Sequence, residues 1–349
     1  MNDHNGSWKQ RALAALGPML FGYLRGRAFD SPDLDVDPNE QALQRYRLVP
    51  RVLAGQTDAS LACAVLGRTY AAPIGVGAFA ADRLFNAQGA AAIGRVCARL
   101  GLPLFVSEEA VTPLADITAS GVDCWLQLRG AGPLERALGL LDVAAKAGCQ
   151  GIVLTVLAPV HPVPGLHPGG VDVAGEIASR GWSTIGSAEG VAALPAFPAW
   201  GTVELERLVP AVHERGMSLI LKGVLHPDDA RLAQAAGCDG VMVSNIGVRQ
   251  LFRWTPAVER IAPVSAVLDS ACVLVDGGFR TAADIMVARL LGAHMAVLVR
   301  PVAYALAAGG ERAVEQMLVG LLGELRAVCA WMGAARLDQL EASQLVRLD

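Results

Sequence analysis

A large excess of charge of one sign is missing from this chain. Its 29 Lys and Arg stand against 33 Asp and Glu, a formal net charge of −4 over 349 residues, and the cations are scattered. Without a basic stripe, nucleic acid is not an expected partner, and without a basic amphipathic helix neither is a membrane surface. No apolar run reaches the roughly 18 residues that a membrane span needs. The seven cysteines form neither a CxxC pair nor a Cys/His cluster at zinc spacing, so no metal is expected. Their odd number, and core-like contexts at Cys124, Cys149 and Cys272, suit reduced thiols in a cytoplasmic protein. The polar opening MNDHNGSWKQ lacks a signal-peptide pattern. Core material is plentiful, with 53% apolar residues. The length allows one large α/β domain with attachments, or two smaller ones.

From residue 73 onward short apolar runs recur: Ile74-Val76, Leu102-Val106, Trp125-Leu128, Ile152-Val156, Leu219-Leu221, Val241-Val243, Val273-Val275 and Ala296-Val299. Their β-branched content suits strands buried on both faces. Ala-rich amphipathic stretches separate most of them, as at Ala87-Leu100, Pro133-Ala147, Pro227-Ala236 and Thr281-Leu291. Eight strands alternating with helices predict an α/β fold, a closed (β/α)8 TIM barrel over 73–349. An open doubly wound sheet would place G-x-G-x-x-G after its first strand, and Gly75-Val76-Gly77-Ala78-Phe79-Ala80 does not carry it. Residues 1–72 are expected to form an N-terminal extension: a helix or two, then strands around Val52-Leu53 and Ala64-Leu66 that plug the barrel bottom. The span 157–217, after the fourth strand, reads as a long Gly- and Pro-rich loop without helical pattern before about Val203. Loops of that size often serve as lids or binding loops. Helices after Glu311 close the chain.

Barrels of this kind place their chemistry at the C-terminal strand ends. Those ends hold Ser107-Glu108-Glu109, Gln127-Leu128-Arg129, Thr155-Val156-Leu157, Lys222, Ser244-Asn245-Ile246, Asp276-Gly277-Gly278-Phe279-Arg280 and Val299-Arg300. Glycines beside two arginines at the last two ends suit a phosphate, through backbone N–H groups and bidentate pairing. The alternative is a surface salt bridge for each arginine. Lys222 is either a Schiff-base nucleophile or a cation facing an anionic cofactor. Gln127, Thr155, Ser107 and Ser244 add neutral donors and acceptors, the wall of a polar heterocycle bearing one phosphate.

With LVPRVL at 48–53, LKGVLHPDDARLA at 221–233, SNIGVRQL at 244–251, VDGGFRTAADIMVARLLGA at 275–293 and VRPVAYALAAGGE at 299–311, the chain resembles the FMN-dependent α-hydroxy acid oxidases and dehydrogenases from about Met19 to Leu340. That family includes glycolate oxidase, lactate oxidase and mandelate dehydrogenase. The resemblance implies FMN as cofactor. Backbone around Phe79 and Ala80 would border the isoalloxazine. Ser107, Gln127 and Thr155 would bond its pyrimidine edge and nearby groups, Lys222 would face N1 and O2, and Ser244 would also touch the cofactor. Asp276 would hold the ribityl chain; Gly277, Gly278, Arg280 and Arg300 would hold the phosphate. Val299 stands where the family usually has glycine. By analogy with such relatives, a homo-oligomer, a tetramer, is expected.

The substrate side departs from the family. Its S-N-H-G-x-R-Q-L carries the histidine base for the substrate hydroxyl, and that position is Ile246. The aspartate of its T-V-D, which orients the histidine, is Leu157. One substrate-gripping arginine falls on or near Pro164; a tyrosine is replaced by Arg129 and a bulky residue by Glu109. Tyr23 and Arg249 are retained. A general base contributes about 10²–10⁴ in rate, and isoleucine has no lone pair to replace it. The resemblance with these departures implies an FMN-dependent oxidoreductase of a small or carrier-tethered amine, amino acid or other non-hydroxy-acid substrate. Tyr23, Glu109, Arg129, Arg249 and the loop histidine His161 are its candidate catalytic residues, with His167 a second loop candidate. A non-redox isomerase and an inactive flavin-binding protein stay open. So do plainer readings: a solvated Glu108 or Glu109, an Arg129 that only neutralises Glu109, a core Tyr23 and an exposed His161.

Overall fold

The computed structural model describes residues 4–26, 30, 36–159, 170–187 and 198–348. Three short strands precede the barrel: β1 (Tyr46–Leu48), β2 (Cys63–Val65) and β3 (Arg68–Tyr70). Eight parallel strands then close on themselves: β4 (Ile74–Val76), β5 (Leu104–Ser107), β6 (Cys124–Arg129), β7 (Gly151–Thr155), β8 (Ser218–Val224), β9 (Gly240–Val243), β10 (Cys272–Asp276) and β11 (Met295–Leu298). Closure runs through β11 and β4, where Val297 pairs with Gly75. Each apolar run of the sequence is one of these strands. Continuous burial on both faces is why they read as unbroken Val, Ile and Leu rather than as alternation.

Helices α1 (His4–Arg25) and α2 (Pro38–Leu43) belong to the N-terminal segment, and α3 (Gly89–Leu100), α4 (Leu114–Thr118) and α5 (Leu134–Lys146) follow the first three barrel strands. The long connection after β7 is not helix-free before Val203. It contains α6 (Val173–Ser179), capped by Asp172, whose carboxylate accepts from the Gly175 N–H at 3.0 Å. No residue of α6 is buried, so it carries no apolar stripe to reveal it. Then come α7 (Thr202–His213), α8 (Pro227–Ala235), α9 (Ile261–Ser265), α10 (Ala282–Leu290) and α11 (Arg300–Trp331). The last is broken at Gly309 and Gly310, so its second half starts afresh at Glu311.

The strand expected at Val52-Leu53 does not form. Both side chains are exposed, and Leu53 has a left-handed φ of 63°. β-Propensity reflects packing on a neighbour, and nothing pairs with this segment. The extension's strand lies earlier, in β1, which pairs antiparallel with β12 (Leu345–Arg347). The expected strand at Ala64-Leu66 is β2, hairpinned to β3. The Leu66 backbone at its turn lies close enough to Cys272, the first residue of β10, to act on its thiol, so the hairpin sits at the N-terminal end of the barrel. All seven cysteines are free and buried, and burial pushes the Cys97 thiol up to about 12. No described helix is long and apolar enough to cross a membrane.

Candidate active site

Register brings the strand-end residues together. Ser107 is level with Gln127, and Arg129, Thr155 and Lys222 lie side by side across β6, β7 and β8. The Gln127 carboxamide donates to the Thr155 hydroxyl at 3.1 Å and to the Leu128 carbonyl at 2.9 Å. The Ser107 hydroxyl accepts from the Glu109 N–H. Ala80 is buried beside a half-buried Phe79, whose ring packs against Phe85.

Lys222 is the hub of a buried relay. Its Nζ pairs with Asp276 Oδ2 at 2.9 Å and donates to Ser244 Oγ at 2.8 Å, and Ser244 Oγ accepts from the Ile246 N–H at 3.0 Å. Asp276 is only 8% exposed, yet its Oδ1 is buried with no hydrogen-bond partner among the described residues. A buried carboxylate oxygen left unmatched is costly, so this atom is suited to a hydroxyl-bearing ligand chain.

At the next two strand ends the sequence reading missed a residue. Arg300 and Arg280 both converge on Asp37: Arg300 Nη1 pairs tightly with Asp37 Oδ2, and Arg280 Nη2 lies 3.8 Å from the same oxygen and 2.8 Å from Glu40 Oε1. Arg300 Nη2 also donates to the Gly247 carbonyl at 2.6 Å. Burial alone would raise the Asp37 pKa, but Arg300 and then Arg280 outweigh it and hold the carboxyl below its ordinary value. Asp37 is also the N-cap of α2, accepting from the Asn39 N–H at 2.9 Å, with Pro38 at the first helical position. Asp-Pro before a short helix is a recognisable start signal, and could have flagged it. Gly277 and Gly278 have φ of 104° and 85°, and a Cβ on Gly278 would stand 2.6 Å from Asn39 Cβ. Val299 is unstrained at φ −116°, and its Cγ2 fills the space a Cβ on Gly77 would need.

The residues expected on the substrate side are also brought together. The Arg249 guanidinium lies 4.7 Å from the Tyr23 ring centroid and donates to the Tyr23 carbonyl at 2.9 Å. Burial raises the Tyr23 pKa; among the charges that act on it, Arg249 and Arg129 oppose and Glu109 adds. Glu109 and Arg129 form a tight, half-buried ion pair. Burial would lower the Arg129 pKa, but Glu109 reverses this and leaves it raised. Glu108 is not solvated: it is 1% exposed, pairs tightly with Arg136 and accepts from the Arg129 N–H at 2.7 Å. The adjacent glutamates do diverge, one into the wall and one into the site. His161, His167 and Pro164 lie outside the described residues.

Ile246 and Leu157 are both half-buried. Ile246, Gly247 and Val248 have φ of 46°, 66° and 51°, three successive left-handed residues. Two of them are β-branched, at a cost of roughly 1–2 kcal/mol each. The turn is held by the Ser244 hydroxyl, by Asn245 Oδ1 accepting from the Gly247 N–H at 3.2 Å, and by Arg300 on the Gly247 carbonyl. Asn245 in turn is paired with the fully buried Asn39. Asp82, 1% exposed, accepts from the N–H groups of Ala90 and Val111 at 2.7 Å and ties α3 to the loop after β5. Asn39 and Asp82, like Asp37, are site supports with no strand-end position to announce them.

The site is thus a closed parallel barrel whose strand ends bring together a buried lysine–aspartate pair and two arginines converging on Asp37. The chain belongs to the FMN-dependent dehydrogenase family, whose model matches residues 12–347. It is similar to 4-hydroxymandelate oxidase of Amycolatopsis orientalis, 33% identical with 91% of this chain and 92% of the relative covered. It is also similar to 2-hydroxyacid oxidase 1 of Homo sapiens, 30% identical with 97% and 95% covered. A solved mandelate oxidase with benzoyl-formic acid superposes with a TM-score of 0.81 at 31% identity, covering 98% of this chain and 97% of that one. A mandelate oxidase variant with the monooxide FMN adduct gives 0.82 at 29% identity, with 98% and 100% covered. The chain is thus an FMN-dependent oxidoreductase of the family of hydroxy acid oxidases and dehydrogenases. Among the described residues no group of three or more His, Cys, Asp or Glu is placed to hold a metal ion.

Proposed function

We propose that this oxidoreductase acts on an amine or amino acid, free or tethered to a carrier, rather than on a hydroxy acid. One observation carries the reading: the Glu109–Arg129 ion pair stands by Tyr23 and Arg249, while positions 246 and 157 offer only hydrocarbon. The residues fit FMN by the character of their donor set and by the unmatched Asp276 Oδ1. Lys222, Ser244, Gln127, Thr155, Ser107 and the backbone at Phe79 and Ala80 would hold its ring. Asp276 would hold its ribityl chain, and Arg280, Arg300, Gly277 and Gly278 its phosphate. FMN, when bound, would supply the acceptor for one hydride, that is, for the two electrons that leave with the substrate C–H hydrogen.

Oxidising an alcohol needs a base for the hydroxyl proton. A neutral amine needs none at that point, because its nitrogen lone pair becomes the C=N bond as the adjacent C–H bond breaks. The proton to be removed is instead that of the ammonium form, and Glu109 is the carboxylate beside the site that can take it. Arg249, whose pKa is lowered by desolvation, is a poorly hydrated cation that gains from an anionic substrate group. Arg129 pairs with Glu109 and orients it until an ammonium group competes for the carboxylate.

Anaerobic mixing of the FMN-loaded protein with a panel of amines, amino acids and 2-hydroxy acids tests this. Loss of oxidised-flavin absorbance with an amine or amino acid, and not with the hydroxy acids, is expected. Bleaching by hydroxy acids alone would sink the proposal, as would no bleaching by any nitrogen compound.

A further inference from the structure

Two arginines at a phosphate seat would repel one another unless an anion lies between them. Here one is built in. Asp37 Oδ2 pairs tightly with Arg300 and sits 3.8 Å from Arg280, while Glu40 takes a second contact from Arg280. The formal charges of the four side chains already cancel. A phosphate dianion arriving beside an intact Asp37 would meet guanidinium groups already paired, and a carboxylate of like sign. The Asp37 side chain comes from the N-terminal segment, not from a barrel strand, so its attachment to the barrel is separable from the barrel's own closure.

We propose that Asp37 is an internal stand-in for the cofactor phosphate. Its carboxylate occupies the anion seat formed by Arg280 and Arg300 and must be displaced for FMN to bind. Competition of this kind lowers apparent affinity by the fraction of molecules in which the seat is open. It acts only on the phosphate, so the preference for FMN over riboflavin is narrowed. The inference does not depend on which substrate is oxidised.

The test is a pair of titrations of the flavin-free protein, with FMN and with riboflavin, in the parent, Asp37→Asn and Asp37→Ser. Asn and Ser both keep the α2 N-cap, so neither variant removes the helix start while removing the charge. Expected is a gain in FMN affinity of about tenfold or more in both variants, equivalent to one decade in Kd. Riboflavin affinity should be unchanged. Thermal unfolding adds an independent readout. The flavin-free variants should melt below the parent, and inorganic phosphate should raise their Tm more than it raises the parent's. FMN affinity that is unchanged or weaker in the variants overturns the proposal. So do equal gains for both flavins, or failure of all three proteins to take up FMN.

Discussion

Asn39 and Asn245, 206 residues apart in sequence, exchange side-chain hydrogen bonds: Asn245 Nδ2 donates to Asn39 Oδ1 at 2.7 Å, and Asn39 Nδ2 donates to Asn245 Oδ1 at 3.2 Å. Both are fully buried. Asn39 Oδ1 also accepts from the Ala257 N–H, and Asn245 Nδ2 donates to the Thr255 carbonyl. Removing Asn39 leaves several buried polar groups unmatched. Asn39→Ala should therefore destabilise the protein by about 1–3 kcal/mol, read by urea unfolding. Asn245→Ala made on top of it should cost much less than in the parent, because the two share one network. Full additivity would show that the pair does not act as a unit.

Lys222 and Asp276 make the second dependency. With side chains 14% and 8% exposed and 2.9 Å apart, each is the other's charge partner. Lys222→Met should cost about 3–5 kcal/mol in the flavin-free protein, the typical penalty for stranding one charge of a buried pair. The double variant Lys222→Met, Asp276→Leu should recover most of that stability while losing flavin uptake. Recovery without loss of uptake would remove both residues from the proposed cofactor seat.

Ile246 and Leu157 can be tested by restoration. Ile246→His with Leu157→Asp would introduce the base and the orienting carboxylate that the family resemblance assigns to these two positions. Flavin reduction by a 2-hydroxy acid should rise by about 10²–10⁴ over the parent, the usual contribution of a general base. Ile246→His alone should gain less, since the imidazole lacks its partner. Either variant should also relax the left-handed turn, because histidine tolerates positive φ better than a β-branched residue. No gain in the double variant would mean that other replacements, such as Arg129 and Glu109, exclude the hydroxy acid.

Asp37 should leave a signature in acid. Its folded pKa lies below the ordinary value of 3.8 because Arg300 and Arg280 outweigh burial. Below 3.8 the unfolded chain therefore binds more protons at this position than the folded one, and stability rises with pH. The contribution is fully present above 3.8 and is lost as pH falls through the lower folded value. The stability difference between the parent and Asp37→Asn should thus shrink on acidification in that window and stay flat above it. A difference that grows in acid would contradict the pairing.

The barrel was legible because each strand is buried on both faces, so Ile74–Val76 or Gly240–Val243 announces itself without tertiary knowledge. The strand-end polar residues were legible for the same reason: Lys222 and Asp276 interrupt apolar runs. Hidden were the residues that reach the site from elsewhere. Asp37 and Asn39 sit in a short polar segment whose importance exists only once it lies against β9 and β10. A solvated Glu108 was one plain reading because its partner Arg136 is on α5, 28 residues on. Val52 and Leu53 misled in the opposite sense, as strand-forming residues with no ladder to join.

The first and last strands of the chain are stitched together: Tyr46 faces Arg347, Leu48 faces Leu345, and Glu259 reaches both Arg45 and Arg347. The final few residues thus hold down the same stretch that delivers Asp37 to the arginines. Leu345, Val346 and Arg347 therefore matter beyond their own strand. They anchor the far end of a lever whose short arm sets Asp37 between Arg280 and Arg300.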